Sequence, residues 1–188
     1  MFDVPVFYAS TEGQTRRIAE RVADRLRGHG LASGIIDVSG PDAATLDWRH
    51  VRGAVVGASL HLGRHQASAV AFVKAHRAGL NGVPSAFFSV SMAAASRNST
   101  EVDSARSIAA TFLSATGWHP ATMACFAGRL AYTQYGFVTR QLMKWIARKE
   151  GGATDVSRDW EYTDWDAVDR FADTVAAQVV ARPDRLAG

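Results

Sequence analysis

The sequence predicts an α/β protein, a parallel, doubly wound sheet with helices on both of its faces. Three observations predict it. Five short apolar runs alternate with stretches of helical periodicity, the order that builds a parallel sheet by right-handed crossovers. The run Gly53–Ser59, "GAVVGAS", is small and apolar at every position, as a strand covered on both sides must be. The first run passes into a helix through a loop of hydroxyl residues and one glycine, "STEGQT".

Taken in order, Val4–Tyr8 reads as the first strand, with Pro5 tolerated because a ring without an N–H fits best near a strand's beginning. From Thr15 the period becomes helical: Ile18, Val22 and Leu26 share one face with Ala19 and Ala23, and Gly28 and Gly30 end the helix. Ser33–Val38 is the second strand, "SGPDAATLDW" a loop, and Gly53–Ser59 the third strand. Gln66–Leu80 forms a helix with Val70, Val73 and Leu80 inward, and Pro84–Val90 the fourth strand. A polar, Ala- and Ser-rich loop over about 91–102 precedes a helix at Ser104–Ala115, and Ala121–Leu130 is the fifth strand. Gln134–Lys149 is amphipathic, and a last helix opens near "YTDWDAV" with Thr163 or Asp164 as its N-cap.

With 188 residues, 47% of them hydrophobic and 21% charged, the chain suits one folded domain over 1–188 rather than a disordered segment. The single Cys125 excludes an internal disulfide and any cysteine metal cluster, and predicts a reducing, cytoplasmic setting. The N-terminal residues are not expected to form a signal peptide, and no apolar run in the sequence approaches the roughly 20 residues that cross a bilayer. A net charge of +3 favours anionic partners. Neither a nucleic-acid partner nor a metal is expected: His61 and His65 are four apart, but Gly63 between them breaks the helix that spacing would need.

In an open α/β sheet, ligands gather at the carboxyl ends of the strands, so the junction Ser10–Thr15 is the first place to look. Hydroxyls of Ser10, Thr11 and Thr15, and first-turn N–H groups of Gly13, Gln14 and Thr15, can donate to an anion at a helix N-terminus. A P-loop would need GxxxxGK[ST] and a dinucleotide fold GxGxxG; neither is present. A lysine-free loop of neutral donors suits the terminal monophosphate of flavin mononucleotide (FMN). The simpler alternative is a Ser or Thr N-cap and a tight turn.

Longer stretches carry a resemblance. "GASLHLGRHQASAVAFVKAH" (57–76), "VPSAFFSVSMAA" (83–94), "GWHP" (117–120), "AGRLAY" (127–132), "GGATD" (151–155) and "EYTDWDAV" (161–168) together resemble the menaquinone-dependent protoporphyrinogen dehydrogenases, which are flavodoxin-like. The resemblance implies a five-stranded sheet in order 2-1-3-4-5, bound FMN, a porphyrinogen substrate and a quinone acceptor, menaquinone or ubiquinone. Carried over, the phosphate site is Ser10, Thr11, Glu12, Gly13, Gln14 and Thr15; the second flavin loop is Ala58, Ser59, Leu60, His61, Leu62 and Gly63; the third is Ser89, Val90, Ser91 and Met92.

The family's long loop is rich in Lys and Arg, whereas "MAAASRNSTEVD" holds one cation, Arg97. Arg64, His65 and Arg97 are therefore the residues expected to meet the substrate's propionates. His61, Arg64 and His65 would also favour an anionic reduced flavin. The ring loops hold no Trp or Tyr, which leaves a flavin face open to a flat substrate and argues against the alternative, an electron carrier with no substrate of its own. A third reading keeps the fold without cofactor. Peripheral membrane contact through Gln134–Lys149, and assembly into a homo-oligomer, stay open.

Overall fold

The computed structural model describes residues 2–130 and 160–182. Its strands are β1 (Val4–Ala9), β2 (Ser33–Asp37), β3 (Ala54–His61), β4 (Arg64–His65), β5 (Ser85–Ser91), β6 (Thr122–Ala127), β7 (Arg129–Leu130) and β8 (Trp160–Glu161). Its helices are α1 (Gln14–Gly28), α2 (Pro41–Ala44), α3 (Ala67–Ala75), α4 (Arg77–Gly82), α5 (Ser99–Thr116) and α6 (Trp165–Val180). Five strands pair in parallel in the order β2-β1-β3-β5-β6, which is the expected 2-1-3-4-5 arrangement of a flavodoxin-like sheet. β4 folds back antiparallel on the end of β3, and β7 pairs with β8 as a separate ribbon.

Alternation along β1 divides the core. Val4, Val6 and Tyr8 meet α1 and α6 on one face, together with Phe88, Phe126 and Phe171. Phe7 and Ala9 meet α3 and α5 on the other, with Phe72, Phe87, Phe112 and Trp118. Pro5 lies inside a central strand, and the ladder shows why it fits. Val4 N–H donates to Ala32 O on the β2 side, so alternation aims the missing donor of Pro5 at β3, where pairing starts one residue later at Val6. Gly57 lets β3 lie against β5, since a Cβ there would fall within the Phe88 ring.

Three elements differ most from the sequence reading. The helix expected over Gln66–Leu80 is two helices that meet at His76, whose Nδ1 accepts from Trp48 Nε1 at 3.2 Å. α5 starts five residues early, because Asn98 caps it by accepting from Thr100 N–H at 3.0 Å; the loop after β5 is correspondingly short and holds one turn of 3-10 helix, Ala93–Ala95. The fifth strand stops at Ala127: Gly128 N–H still donates to Ser91 O at 3.1 Å, and the chain then turns out into β7. Of the two N-caps that the sequence offers for α6, Asp164 is the one used, accepting from Ala167 N–H at 3.0 Å. The amphipathic stretch Gln134–Lys149 and "GGATD" lie outside the described residues. Among those described, no helix is long and apolar enough to cross a membrane.

Outside the sheet, α1 and α6 run side by side and are joined by charge. Arg21 grips both oxygens of Asp169 at 2.7 and 2.6 Å, and Arg25 grips both oxygens of Asp173 at 2.7 and 2.9 Å. His29 Nε2 lies 2.6 Å from the same Asp173.

Candidate functional site

The carboxyl ends of four strands converge on one cleft of about 270 Å³. After β1 come Thr11, Glu12, Gln14 and Thr15; from the end of β3 come Ser59, Leu60, His61 and Leu62; from β5, Val90, Ser91 and Met92; after β6, Gly128 and Arg129. This is the point where the strand order reverses, between β1 and β3, the place an open α/β sheet leaves for a ligand.

The loop after β1 is not a hydroxyl-capped turn. Its N-cap is Gly13 at φ +84°, with no side chain capping the helix. A residue in that left-handed region turns the chain sharply, and only glycine does so without a Cβ penalty. Ser10 Oγ accepts from Gly13 N–H at 2.9 Å and closes the loop on itself. Gly13's N–H is thereby spent, and the first helical bond runs from Arg17 N–H to Gly13 O. The N–H groups of Gln14, Thr15 and Arg16 precede that bond and face the helix entrance, where its dipole is positive and no acidic side chain stands in the first turn.

The rest of the loop is braced by Gln66, Glu161 and Thr163, which the sequence reading did not place in the site. Gln66 spans it: its side-chain nitrogen donates to Ala9 O at 2.9 Å, and its oxygen accepts from Thr11 N–H at 3.2 Å and Thr11 Oγ1 at 2.8 Å. Gln14, nearly buried, donates to Glu161 at 2.7 Å and to Thr163 Oγ1 at 2.9 Å, while its oxygen accepts from Arg17 at 3.2 Å. Thr163 Oγ1 in turn donates to Ala127 O at 2.8 Å. The side chain of Gln14 is thus committed to protein partners, and only its backbone N–H serves the cleft.

Thr15 tests whether the loop fits a phosphate. Its hydroxyl is buried at the cleft wall, 1% exposed, and Oγ1 has no hydrogen-bond partner among the described residues. A buried hydroxyl left unsatisfied costs about 1–3 kcal/mol, so such groups normally have a partner. A phosphate oxygen placed before the first turn of α1 satisfies it. The donor set is neutral, and it fits.

The other candidates separate. Ala58 and Ser89 are buried within their strands beneath the cleft. Gly63 lies in the two-residue turn between β3 and β4, where Leu62 (φ 49°) and Gly63 (φ 75°) are both left-handed, the geometry of a type I′ hairpin. Arg64 points to a separate groove of about 620 Å³ between α3 and α5, shared with Lys74 and Phe112. Arg97 is exposed just before α5 and does not line the cleft.

His65 departs furthest from expectation. It is 6% exposed, packed between the Phe87 and Phe112 rings, with Nε2 3.0 Å from Ser89 Oγ. Burial pulls its pKa down to about 4, so the imidazole is neutral near pH 7 and supplies no charge to a flavin or a propionate. Because the folded value lies below the ordinary 6.5, the unfolded chain takes up a proton first as pH falls; the contribution is complete above pH 6.5 and is lost on the way down to about 4. Between pH 7 and 4.5 this amounts to about 2–3 kcal/mol. Urea unfolding at the two pH values should show that loss in the wild type and not in His65→Phe, which keeps a ring between its neighbours. Equal pH dependence in both proteins would remove His65 as the cause.

One cation that the sequence reading passed over does line the cleft. Arg129 stands half-buried on β7, and its Nη2 donates to Glu12 O at 3.3 Å. The stretch "AGRLAY" held the signal, but only the break after Ala127 turns this arginine toward the phosphate loop.

Comparison with known proteins agrees with this geometry. The flavodoxin domain family matches residues 5–157. The chain is 33% identical over 171 residues to protoporphyrinogen IX dehydrogenase (quinone) of Escherichia coli (strain K12), covering 91% of this chain and 93% of that one. The protein of the same name from Leishmania major is 33% identical over 182 residues, covering 96% of this chain and 77% of that one. In structure the chain is similar to the Streptococcus pneumonia TIGR4 flavodoxin, with a TM-score of 0.54 at 18% identity over 93% of this chain and 97% of that one, a likeness of fold. The chain therefore belongs to the flavodoxin-domain family of oxidoreductases related to the quinone-dependent protoporphyrinogen IX dehydrogenases.

Proposed function

We propose that the protein is an FMN-dependent dehydrogenase that oxidises protoporphyrinogen IX to protoporphyrin IX and passes the electrons to a quinone. One observation carries this reading: a cleft at the switch point joins a neutral anion loop to two strand-end loops that hold no Trp or Tyr. The names of the relatives supply the substrate and acceptor class.

In this reading the N–H groups of Gln14, Thr15 and Arg16, with Thr15 Oγ1, hold the FMN phosphate at the mouth of α1. Ser59–Leu62 and Val90–Met92 flank the ring, offering Leu60, Leu62, Val90 and Met92 as apolar contacts and backbone groups as polar ones. FMN, when bound, supplies the two-electron chemistry, and the protein supplies position and field. No aromatic lid from these loops covers the site, so a flat tetrapyrrole has a face to stack on. Leu62, 86% exposed at the hairpin tip, stands at the rim.

The test has two stages. Freshly purified protein should show the absorption bands of oxidised flavin, and under anaerobic conditions it should convert protoporphyrinogen IX to protoporphyrin IX in step with reduction of menaquinone or ubiquinone. Protein that stays colourless with added FMN overturns the cofactor assignment. Flavin-loaded protein that exchanges electrons with a reductase, but leaves porphyrinogen untouched with either quinone, is a carrier and overturns the substrate assignment.

A further inference from the structure

We propose that the groove between α3 and α5 is a second binding site, which takes a carboxylate carrying an apolar chain. The groove measures about 620 Å³, within the range of small-molecule sites, and shares no lining residue with the cleft at the strand ends. One stripe of each helix walls it: Ala67, Val70 and Ala71 at helical spacing on α3, and Ile108, Phe112 and Ala115 on α5. Little polarity remains inside. Thr111 Oγ1 donates to Ser107 O and Thr116 Oγ1 to Phe112 O, both at 2.9 Å, so these two hydroxyls serve their own helix. Among the described residues, no Asp or Glu lines the groove.

The charge that remains is positive and unpaired. Arg64 and Lys74 both line the groove, and neither side chain has a hydrogen-bond or ion-pair partner among the described residues. Arg64 stands just ahead of α3, whose first turn has no acidic residue and no side-chain cap, so the helix dipole adds to the attraction for an anion at that end. His65 lies at the same end. It is 6% exposed, lines the groove, and has an Nδ1 that is buried without a partner. Ser89, 1% exposed, has no other side-chain partner among the described residues. Its hydroxyl proton therefore goes to Nε2 at 3.0 Å, and the ring proton of the neutral imidazole stays on Nδ1. A buried N–H needs an acceptor, and Arg64 next to it selects an anionic one. From Ala67 to Lys74, α3 runs about 10 Å, the reach of a medium-length alkyl chain. Lipid head groups at a bilayer surface would meet Arg64 and Lys74 but leave the buried His65 donor unmet, which favours a free single-chain acid.

The experiment titrates the full chain, in saturating FMN, with dodecanoate below its micelle concentration by isothermal calorimetry. The titration is repeated with dodecyltrimethylammonium, which has the same chain and the opposite charge. Wild-type protein should bind one dodecanoate per chain and the cationic analogue at least tenfold more weakly. A71W, which fills the groove from an exposed position on α3, should abolish binding. The double variant R64Q/K74Q should raise the Kd for dodecanoate at least tenfold, and it serves if A71W fails to fold. H65F keeps the ring and loses the donor, and should raise that Kd several-fold. Absence of saturable binding to wild type overturns the proposal, as does equal affinity for the two head groups. Undiminished binding in A71W, in R64Q/K74Q or in H65F overturns it as well. Cosedimentation with phosphatidylglycerol vesicles, without binding of dodecanoate, assigns the two cations to a membrane surface and also overturns it.

Discussion

The Gly13→Val protein is expected to bind FMN roughly 100-fold more weakly than wild type and to purify without colour. Two effects add. Gly13 sits at φ +84°, and nothing lies within 4 Å of a Cβ built there, so the penalty comes from the backbone and not from crowding. Holding an L-residue in that region costs about 1–2 kcal/mol, more for a β-branched one. If the loop relaxes instead, Ser10 Oγ loses its bond from Gly13 N–H and the first-turn donors of α1 lose their aim. A hydrogen bond to a charged group is worth about 1.5–3 kcal/mol, so one misdirected donor brings the total to about 3 kcal/mol, or roughly two decades in Kd. Titration of apoprotein with FMN, followed by quenching of flavin fluorescence, measures it. Unfolding in urea gives the control, since α1 packs through Ile18, Val22 and Leu26 and should keep most of its stability. A Gly13→Val protein as yellow as wild type would show that this turn does not govern the cofactor.

The second large effect is on stability. Trp118 is 1% exposed and seals the end of the α3–α5 face, edge-on to Phe87, with its indole N–H donated to Ser85 Oγ at 2.9 Å. Trp118→Ala should cost about 3–5 kcal/mol, because the lost burial is compounded by a cavity that the flanking strands cannot close. For a protein of this size that lowers Tm by roughly 6–20 °C. Trp118→Phe keeps most of the packing but leaves Ser85, itself buried, without the indole donor, and should cost about 1–2 kcal/mol. Thermal unfolding of the two variants separates packing from hydrogen bonding. Two equal and small shifts would mean that the site collapses without strain.

The contrast between the two positions shows what could be read from the chain. Gly13 was visible because the signal is local: an apolar run, hydroxyls, one glycine and an amphipathic helix follow one another within twenty residues. The sheet was visible for a related reason, since "GAVVGAS" and "PSAFFSV" are apolar on both faces and admit no solvent-facing strand. Gln66 and Arg129 were not visible as parts of the site. Each acts on the phosphate loop across 55 and 117 residues of sequence, and the spacing carries no trace of that. His65 failed for the opposite reason. Its sequence neighbours Arg64 and Gly63 are exposed, and the antiparallel fold-back of β4 alone turns it inward against Phe87. Asn98 was hidden among Ser96, Ser99 and Thr100, any of which could have capped α5 by composition.

The arginine–aspartate rungs between α1 and α6 act as a vernier. A single exposed pair of this kind contributes about 0–1 kcal/mol, so the rungs do little for stability. Their spacing matters more: partners recur every four residues on both helices, at Arg21 and Arg25 against Asp169 and Asp173. Sliding α6 by one turn, about 5.4 Å, would set Arg25 against Ala177 in one direction and Arg21 against Trp165 in the other, leaving a rung unfilled either way. Glu161 and Thr163 ride just ahead of α6, so the same alignment decides whether they reach Gln14. Two surface charge pairs thus gauge where Glu161 and Thr163 meet the loop before α1.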